Sequence, residues 1–152
     1  MIPDFVDDVL PEGVHECTIE EIDATLGRFW KSDRRIQLTT RLREFVQEAM
    51  QSGIIAAIVV DGSYVTRKAE PNDIDLIVVY RSDFDLSAEL RPLEYNIVSR
   101  RVVRAKYKFD AFAARDSSEE YSRLVEFFTR VRKDDPEQTS PRDRKGVLRI
   151  NL

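Results

Sequence analysis

Residues 54–80 read IIAAIVVDGSYVTRKAEPNDIDLIVVY, and this stretch decides the fold. Its first part, residues 54–60, is continuously apolar and rich in Ile and Val, which is typical of a buried central strand. The Asp-Gly-Ser sequence at 61–63 then interrupts the apolar run. A second run rich in β-branched residues, 74–80, follows the turn residues at 70–73. The stretch therefore predicts two buried strands joined by a polar loop.

Hydrophobic periodicity on either side of this stretch predicts four helices and two further strands. The helices cover 19–26, 33–51, 87–105 and 117–132, and the strands cover 107–113 and 147–152, the last one as an edge strand. The polar segment 133–145 is expected to be a mobile loop. The element order, in which two N-terminal helices precede β-β-α-β-α-β, indicates one α+β (or α/β) domain over 1–152, with an N-terminal helical part (1–53), a core (54–114) and a C-terminal helix and tail (115–152).

Composition excludes several classes of protein. With 42% hydrophobic and 34% charged residues, the chain is not expected to be mostly disordered. Its longest apolar run is far shorter than the ~20 residues that cross a bilayer, and the acidic segment 1–8 does not fit an ordinary signal peptide. A single cysteine, Cys17, and a single histidine, His15, exclude an internal disulfide and a multi-histidine metal site. We therefore expect a cytoplasmic protein that does not associate with membranes.

Charge is unevenly distributed along the chain, whose net charge is −4. Residues 1–30 are strongly acidic, whereas residues 91–108 are strongly basic. The basic segment could bind a phosphate-bearing ligand or form a solvated helix face, and the composition alone does not decide between them.

Three features in and around the predicted strands carry chemistry. Gly62 and Ser63 directly follow the first strand, where a glycine turn with exposed amides can bind an anion. Asp73 and Asp75 are two residues apart, so in an extended chain their carboxylates lie on one face. Asp110 lies between apolar neighbours, where an ionised carboxylate needs a partner or a cation. Together these features predict a site for a nucleoside triphosphate and Mg²⁺ or Mn²⁺, with two ions bound.

The order of these motifs resembles the nucleotidyltransferase superfamily of the DNA polymerase β type. The resemblance covers about residues 54–114 and rests on Gly62-Ser63, the segment Pro71-Asn-Asp-Ile-Asp-Leu76, and Asp110. The chain ends, at 10–15 and 145–150, resemble small stand-alone prokaryotic members of that superfamily.

The resemblance implies a small mixed sheet packed with helices, in a polymerase-β-like fold. It also implies that Asp73 and Asp75 bind Mg²⁺ and that Asp110 completes the metal site and helps to deprotonate an acceptor hydroxyl. Gly62 and Ser63 would hold the triphosphate, and the reaction would transfer NMP to the acceptor and release pyrophosphate. We expect Asp73, Asp75 and Asp110 to lie in one cluster, with the pKa of at least one of them raised by mutual repulsion.

The loop after the first turn departs from the commoner minimal members, which often have Arg-Gly where this chain has Val65-Thr-Arg-Lys68. Arg67 and Lys68 are close enough to the turn in sequence to contact phosphates, and an ordinary surface position fits them equally well. The sequence has no obvious second domain for a nucleic-acid acceptor, so RNA, a protein side chain and a small molecule all remain open as acceptors.

Other interpretations use the same residues. The chain could be a catalytically weak or inactive binding module, for example one component of a toxin–antitoxin pair with a partner protein encoded nearby. Phosphatases of the haloacid-dehalogenase type are disfavoured because their apolar strand precedes Asp-x-Asp, and a glycosyltransferase normally needs a longer chain. In a purely structural interpretation, Asp73 caps a turn, Asp75 faces solvent and Asp110 pairs with an arginine.

Overall fold

A computed structural model describes every residue of the chain except Asp135, Glu137 and Thr139. Its strands are β1 (Gly13–Cys17), β2 (Ile55–Asp61), β3 (Asp75–Tyr80), β4 (Asp110–Arg115) and β5 (Gly146–Asn151). Its helices are α1 (Ile19–Ala24), α2 (Asp33–Ser52), α3 (Pro92–Val98), α4 (Arg100–Tyr107) and α5 (Glu119–Phe128). None of the described helices has the length and apolar character needed to cross a membrane.

The five strands form one mixed sheet in the order β1-β5-β2-β3-β4. The outer pairs β1–β5 and β3–β4 are parallel, whereas β2 is antiparallel to both of its neighbours. Helices cover both faces of this sheet. The predicted fold class, α+β with a small mixed sheet packed with helices, is therefore confirmed.

Side chains of the central strands alternate between two apolar layers, as the period of two of a β-strand requires. One layer contains Ile58 and Val60 of β2 and packs with residues of α2, α3 and α4. The other layer contains Val59 of β2 and Ile77 of β3 and packs with Phe128 of α5. Burial on both faces explains why β2 and β3 have continuous rather than alternating apolar sequences.

The first part of the chain follows its local signals closely. The Ser32 hydroxyl accepts the backbone N–H of Arg35 and caps α2 at its N-terminus, and Gly53, with a φ of 72°, ends it. The hydroxyl of Thr18 caps α1 in the same way. Both helices begin where the sequence predicts them.

The structure corrects the predicted helix at 87–105, which is two helices, α3 and α4, separated at Ser99. The hydroxyl of Ser99 accepts the N–H of Val102 and starts α4 as a new helix. Because α4 continues to Tyr107 and Lys108 then adopts a left-handed φ of 64°, the strand predicted at 107–113 begins only at Asp110.

The C-terminal strand was also misplaced by the prediction. The strand predicted at the edge, β5, lies between β1 and β2, and the edge is formed by β1, which the sequence analysis did not predict. Helix α5 ends at Phe128 rather than at 132. Of the segment 133–145, predicted as a mobile loop, three residues lie outside the described part, and its last residue, Lys145, is buried.

Candidate functional site

A row of three aspartates crosses the sheet where β2 ends and β3 and β4 begin. Asp61 is paired with Asp75 across the β2–β3 ladder, and Asp75 is paired with Asp110 across the β3–β4 ladder. Neighbouring strands lie ~4.8 Å apart, and residues opposite each other in register project to the same face. The structure therefore brings together two of the predicted acids, Asp75 and Asp110, and adds Asp61, which the sequence analysis did not select. Its position directly before Gly62, at the end of the apolar run, was the available signal.

Asp73, two residues before Asp75, belongs to the same cluster of charges. Burial and, in decreasing order, the negative charges of Asp73, Asp61 and Asp110 together raise the pKa of Asp75 to about 7, while Lys145 opposes the shift. A raised pKa is expected in such a cluster, and here burial contributes more to it than the neighbouring carboxylates do. The charges of Asp73 and Asp110 both act on Asp75 in the folded protein.

At one end of the row, Asp61 forms a buried ion pair with Lys145. The ammonium nitrogen lies 2.7 Å from Asp61 Oδ1, and the two side chains are only 10% and 7% exposed. Lys145 reaches this position because it directly precedes β5, which is the neighbour of β2 in the sheet. Burial raises the pKa of Asp61, whereas Lys145 and the backbone N–H of Gly62 oppose that shift by stabilising the carboxylate.

At the other end of the row, Asp110 is paired with Arg100 of α4. Two guanidinium nitrogens of Arg100, Nε and Nη2, donate to the same oxygen, Asp110 Oδ1, at 3.1 and 2.9 Å. The guanidinium also lies 4.4 Å from the centre of the Phe112 ring. The pairing of Asp110 with an arginine is the one element of the purely structural interpretation that the structure shows.

An open cleft of about 620 Å³ lies beside this end of the row. It is lined by Asp73, Asp110, Arg100, Arg101 and Arg104. Two of the predicted acids and three arginines of α4 therefore share one accessible space.

The turn after β2 packs directly on the segment that carries Asp73 and Asp75. Gly62 has a φ of 91°, and a Cβ on it would lie 3.1 Å from both the Asp73 carbonyl oxygen and the Asp75 backbone nitrogen. A glycine is required here because any other residue would be strained at this φ and its Cβ would lack space. Ser63 Oγ accepts the backbone N–H of Asn72 at 3.0 Å, which holds the two ends of the β2–β3 loop together. Gly62 and Ser63 thus lie beside the acids, as expected.

Arg67 contacts residues of the N-terminal part of the chain. Its Nε lies 3.7 Å from an Asp8 oxygen, and its guanidinium lies 5.9 Å from the centre of the Phe29 ring. At Lys68, the backbone N–H donates to the Thr66 hydroxyl. Nucleotide binding by Arg67 and Lys68 stays a prediction.

The β2–β3 loop is held in place by two arginines of α2 that the sequence analysis did not select. The buried guanidinium of Arg35 donates to backbone carbonyl oxygens of Leu26, Tyr64, Thr66 and Lys68. Burial lowers the pKa of Arg35 to about 10, and the nearby Tyr64 and Glu70 oppose that shift. Arg34 donates to the carbonyls of Pro71 and Asn72, at the other end of the loop. Because arginine side chains on surface helices are common, no sequence pattern distinguished these two.

Carboxylate oxygens are suitable ligands for Mg²⁺ or Mn²⁺. Among the described residues, two of the four carboxylates form an ion pair: Asp61 with Lys145 and Asp110 with Arg100. Within the described part of the chain, however, no three Asp, Glu, His or Cys side chains are already arranged around a common metal position. Asp73 and Asp75 lack a paired cation among the described residues, so they are the members of the cluster best placed to accept one.

The chain matches the model of a family of unknown function (DUF6932) over residues 3–151, and it therefore belongs to that family. No curated protein and no solved structure shows significant similarity to it.

Proposed function

We propose that this protein is a metal-dependent nucleotidyltransferase that transfers NMP from an NTP to an acceptor hydroxyl and releases pyrophosphate. The observation that supports this best is the cluster of carboxylates: Asp75 is paired in register with Asp110, the charges of Asp73 and Asp110 both act on Asp75, and the Gly62 turn packs directly on the segment that carries Asp73 and Asp75. Mutually repelling carboxylates next to a glycine turn form a site that binds a divalent cation together with a phosphate chain.

Each group has a distinct role in this proposal. Asp73 and Asp75 hold the ion that accompanies the NTP, and the Gly62–Ser63 turn holds the phosphates. When bound, Mg²⁺ or Mn²⁺ neutralises negative charge that develops on the phosphate oxygens, and we propose two ions. Lys145 keeps the buried Asp61 carboxylate ionised and fixed beside Asp75.

The transfer step is an in-line displacement at the α-phosphorus. The acceptor oxygen forms a bond to the α-phosphorus, the bond to the bridging oxygen breaks, and pyrophosphate leaves with that electron pair. The acceptor proton passes to the Asp110 carboxylate. Arg100 binds only Oδ1 of Asp110, and Oδ2 has no hydrogen bond from the described residues, so one oxygen is available as the base.

A non-catalytic role as a binding module is the second candidate. The observation that favours it is that no three acids are already arranged around a metal position in the described part of the chain. In that case the protein acts through contact with a partner protein encoded nearby, as in a toxin–antitoxin pair.

In both cases we place the protein in the cytoplasm. Its buried Cys17 has a pKa raised to about 12, mainly by burial, and is not expected to react.

Labelling distinguishes the two candidates. The protein is incubated with each α-³²P-labelled NTP, Mg²⁺ or Mn²⁺, and cell extract, and the labelled acceptor is identified as RNA, protein or small molecule. We expect Asp110→Asn to keep its NTP–Mg²⁺ affinity within about tenfold and to lose at least about a hundredfold in transfer rate. Glu89→Gln, which removes an exposed charge, serves as the control. NTP binding without transfer by the wild type would favour the binding module, and full activity of Asp110→Asn would disprove the role of Asp110.

Metal binding has its own test. Mg²⁺ or Mn²⁺ should raise the melting temperature of the wild type by mass action, and NTP should raise it further. The double variant Asp73→Asn, Asp75→Asn should fold and lose both responses. An unchanged response in the double variant would place the ion elsewhere on the protein.

A further inference from the structure

We infer that the arginine groove, the cleft lined by Arg100, Arg101 and Arg104 beside Asp73 and Asp110, binds the phosphate backbone of a single-stranded nucleic acid. A strand end bound there presents its hydroxyl to Asp110. The role of the strand as acceptor rests on the proposed function, whereas binding of the strand does not.

The charge of α4 is the first argument. The helix, RRVVRAKY, contains four basic residues and no acid, in a chain whose net charge is −4. Its buried residues, Val103 and Tyr107, anchor the helix in the core. Arg100, Arg101 and Arg104 are all exposed, and together they give the cleft a positive lining.

The spacing of the arginines is the second argument. Residues three or four positions apart in a helix are neighbours on one face. Arg101 and Arg104 are three positions apart, and Arg100 and Arg104 are four positions apart. The rise from Arg100 to Arg104 is ~6 Å along the helix, similar to the separation of successive phosphates in an extended strand. Among the described residues, Arg104 uses one of its nitrogens, Nη1, in a hydrogen bond, to the carbonyl of Lys108. Donors of its guanidinium are thus available for phosphate oxygens.

An exposed aromatic side chain adjoins the groove. Tyr95 of α3 is 43% exposed, and the nearby Arg101 lowers the pKa of its hydroxyl. Proteins that bind single strands combine a positive groove, which follows the backbone, with aromatic side chains on which bases stack. Tyr95 supplies the stacking surface and Arg101 and Arg104 supply the backbone contacts.

The same charges disfavour the other acceptors. A cationic small molecule, such as an amino sugar, would be repelled by three guanidinium groups next to the reacting carboxylate. An acidic protein segment would satisfy the charges without using Tyr95 for stacking. A single strand uses both features, so it is the ligand that the groove fits best.

Binding is measured by fluorescence anisotropy with fluorescein-labelled RNA and DNA of one mixed sequence, each about 12 nucleotides long. EDTA is present and NTP is absent, so that the result does not depend on metal or on catalysis. Salt is varied between about 50 and 200 mM. The test variant is Arg101→Ser, Arg104→Ser, which leaves Arg100 and its contact with Asp110 intact.

The matched control is Arg81→Ser, Arg123→Ser, which removes the same charge from two exposed arginines away from the groove. Arg81 follows β3 at the end opposite to Asp75, and Arg123 lies on α5. We expect the wild type to bind at least one of the two strands, and the test variant to bind it at least about tenfold more weakly, with a salt dependence shallower by about 1.4 because two phosphate contacts are lost. The control should stay within about twofold of the wild type, and Tyr95→Leu should lose about tenfold in affinity.

Three results would overturn the inference: no binding of either strand by the wild type at about 50 mM salt, equal losses in the test and control variants, or competition by poly-glutamate as effective as that by unlabelled strand. The last result would identify an acidic protein segment as the ligand. Strand binding without nucleotide transfer would contradict the proposed function and support the groove. Transfer to another acceptor without strand binding would contradict the groove alone.

Discussion

Replacing Asp75 by asparagine should stabilise the folded protein at pH 8. The pKa of Asp75 is raised from 3.8 to about 7, first by burial and then by its neighbouring carboxylates. A shift of about three units corresponds to ~4 kcal/mol at 1.36 kcal/mol per unit. Because the side chain is partly accessible, solvent screening reduces this value, and we expect about 2 kcal/mol.

The sign follows from the protonation of the two states. The folded protein holds the Asp75 proton more tightly than the unfolded chain, so the wild type loses stability as the pH rises from about 4 to about 7. Below this interval Asp75 is protonated in both the folded and the unfolded protein, and above it the loss of stability is complete. Asparagine carries no charge at any pH, so the variant escapes the loss.

Urea unfolding in EDTA at pH 4.5 and pH 8 measures the effect. The gain of about 2 kcal/mol at pH 8 corresponds to an increase in melting temperature of about 4–8 °C, and at pH 4.5 the variant and the wild type should differ little. Glu89→Gln removes an exposed carboxylate and should change stability by less than about 0.5 kcal/mol at either pH. The reasoning is refuted if Asp75→Asn is no more stable than the wild type at pH 8, or if its gain is equally large at pH 4.5.

Three further predictions concern the groups that hold the site together. Lys145→Met should lower the free energy of unfolding in urea by about 3–5 kcal/mol because it leaves the buried Asp61 unpaired. Adding Asp61→Asn should recover at least half of that loss, and no recovery would mean that the two side chains are not coupled. Gly62→Ala should lower the stability measured in thermal melts by about 1–3 kcal/mol. Gly53→Ala should lower it less, because a Cβ at Gly53 contacts no atom whereas a Cβ at Gly62 contacts the backbone. Equal losses in the two variants would contradict the close packing at Gly62. Arg35→Met leaves several backbone carbonyls without their donor, so it should lower the free energy of unfolding by about 3 kcal/mol. It should also increase trypsin cleavage in the loop that follows β2. An unchanged cleavage rate would show that Arg35 does not hold that loop.

The amino-acid sequence by itself determined those parts of the protein that depend on nearby residues. The apolar runs at 54–60 and 74–80 predicted β2 and β3 because strands buried on both faces need continuous apolar sequence. The caps at Thr18 and Ser32 and the glycine at 53 located the first two helices, because a helix end is satisfied by side chains within a few residues.

The same holds for part of the candidate site. Asp73 and Asp75 are two residues apart in the sequence, and the period of two of an extended chain is enough to predict that they lie close together. Gly62 was recognisable because a turn after a buried strand needs a residue that tolerates a positive φ.

Only the tertiary structure decided the partners of these residues. The insertion of β5 between β1 and β2 places Lys145 on Asp61, two residues 84 positions apart. The break at Ser99 reorients α4, so that Arg100 contacts Asp110 and its neighbouring arginines line the cleft. Strand order and helix packing depend on how whole apolar surfaces are buried against one another, and a local pattern contains no information about which distant segment covers which surface. The proximity of Asp73 to Asp75 could therefore be predicted from the sequence, whereas Asp61 and the cations that pair with Asp61 and Asp110 could not.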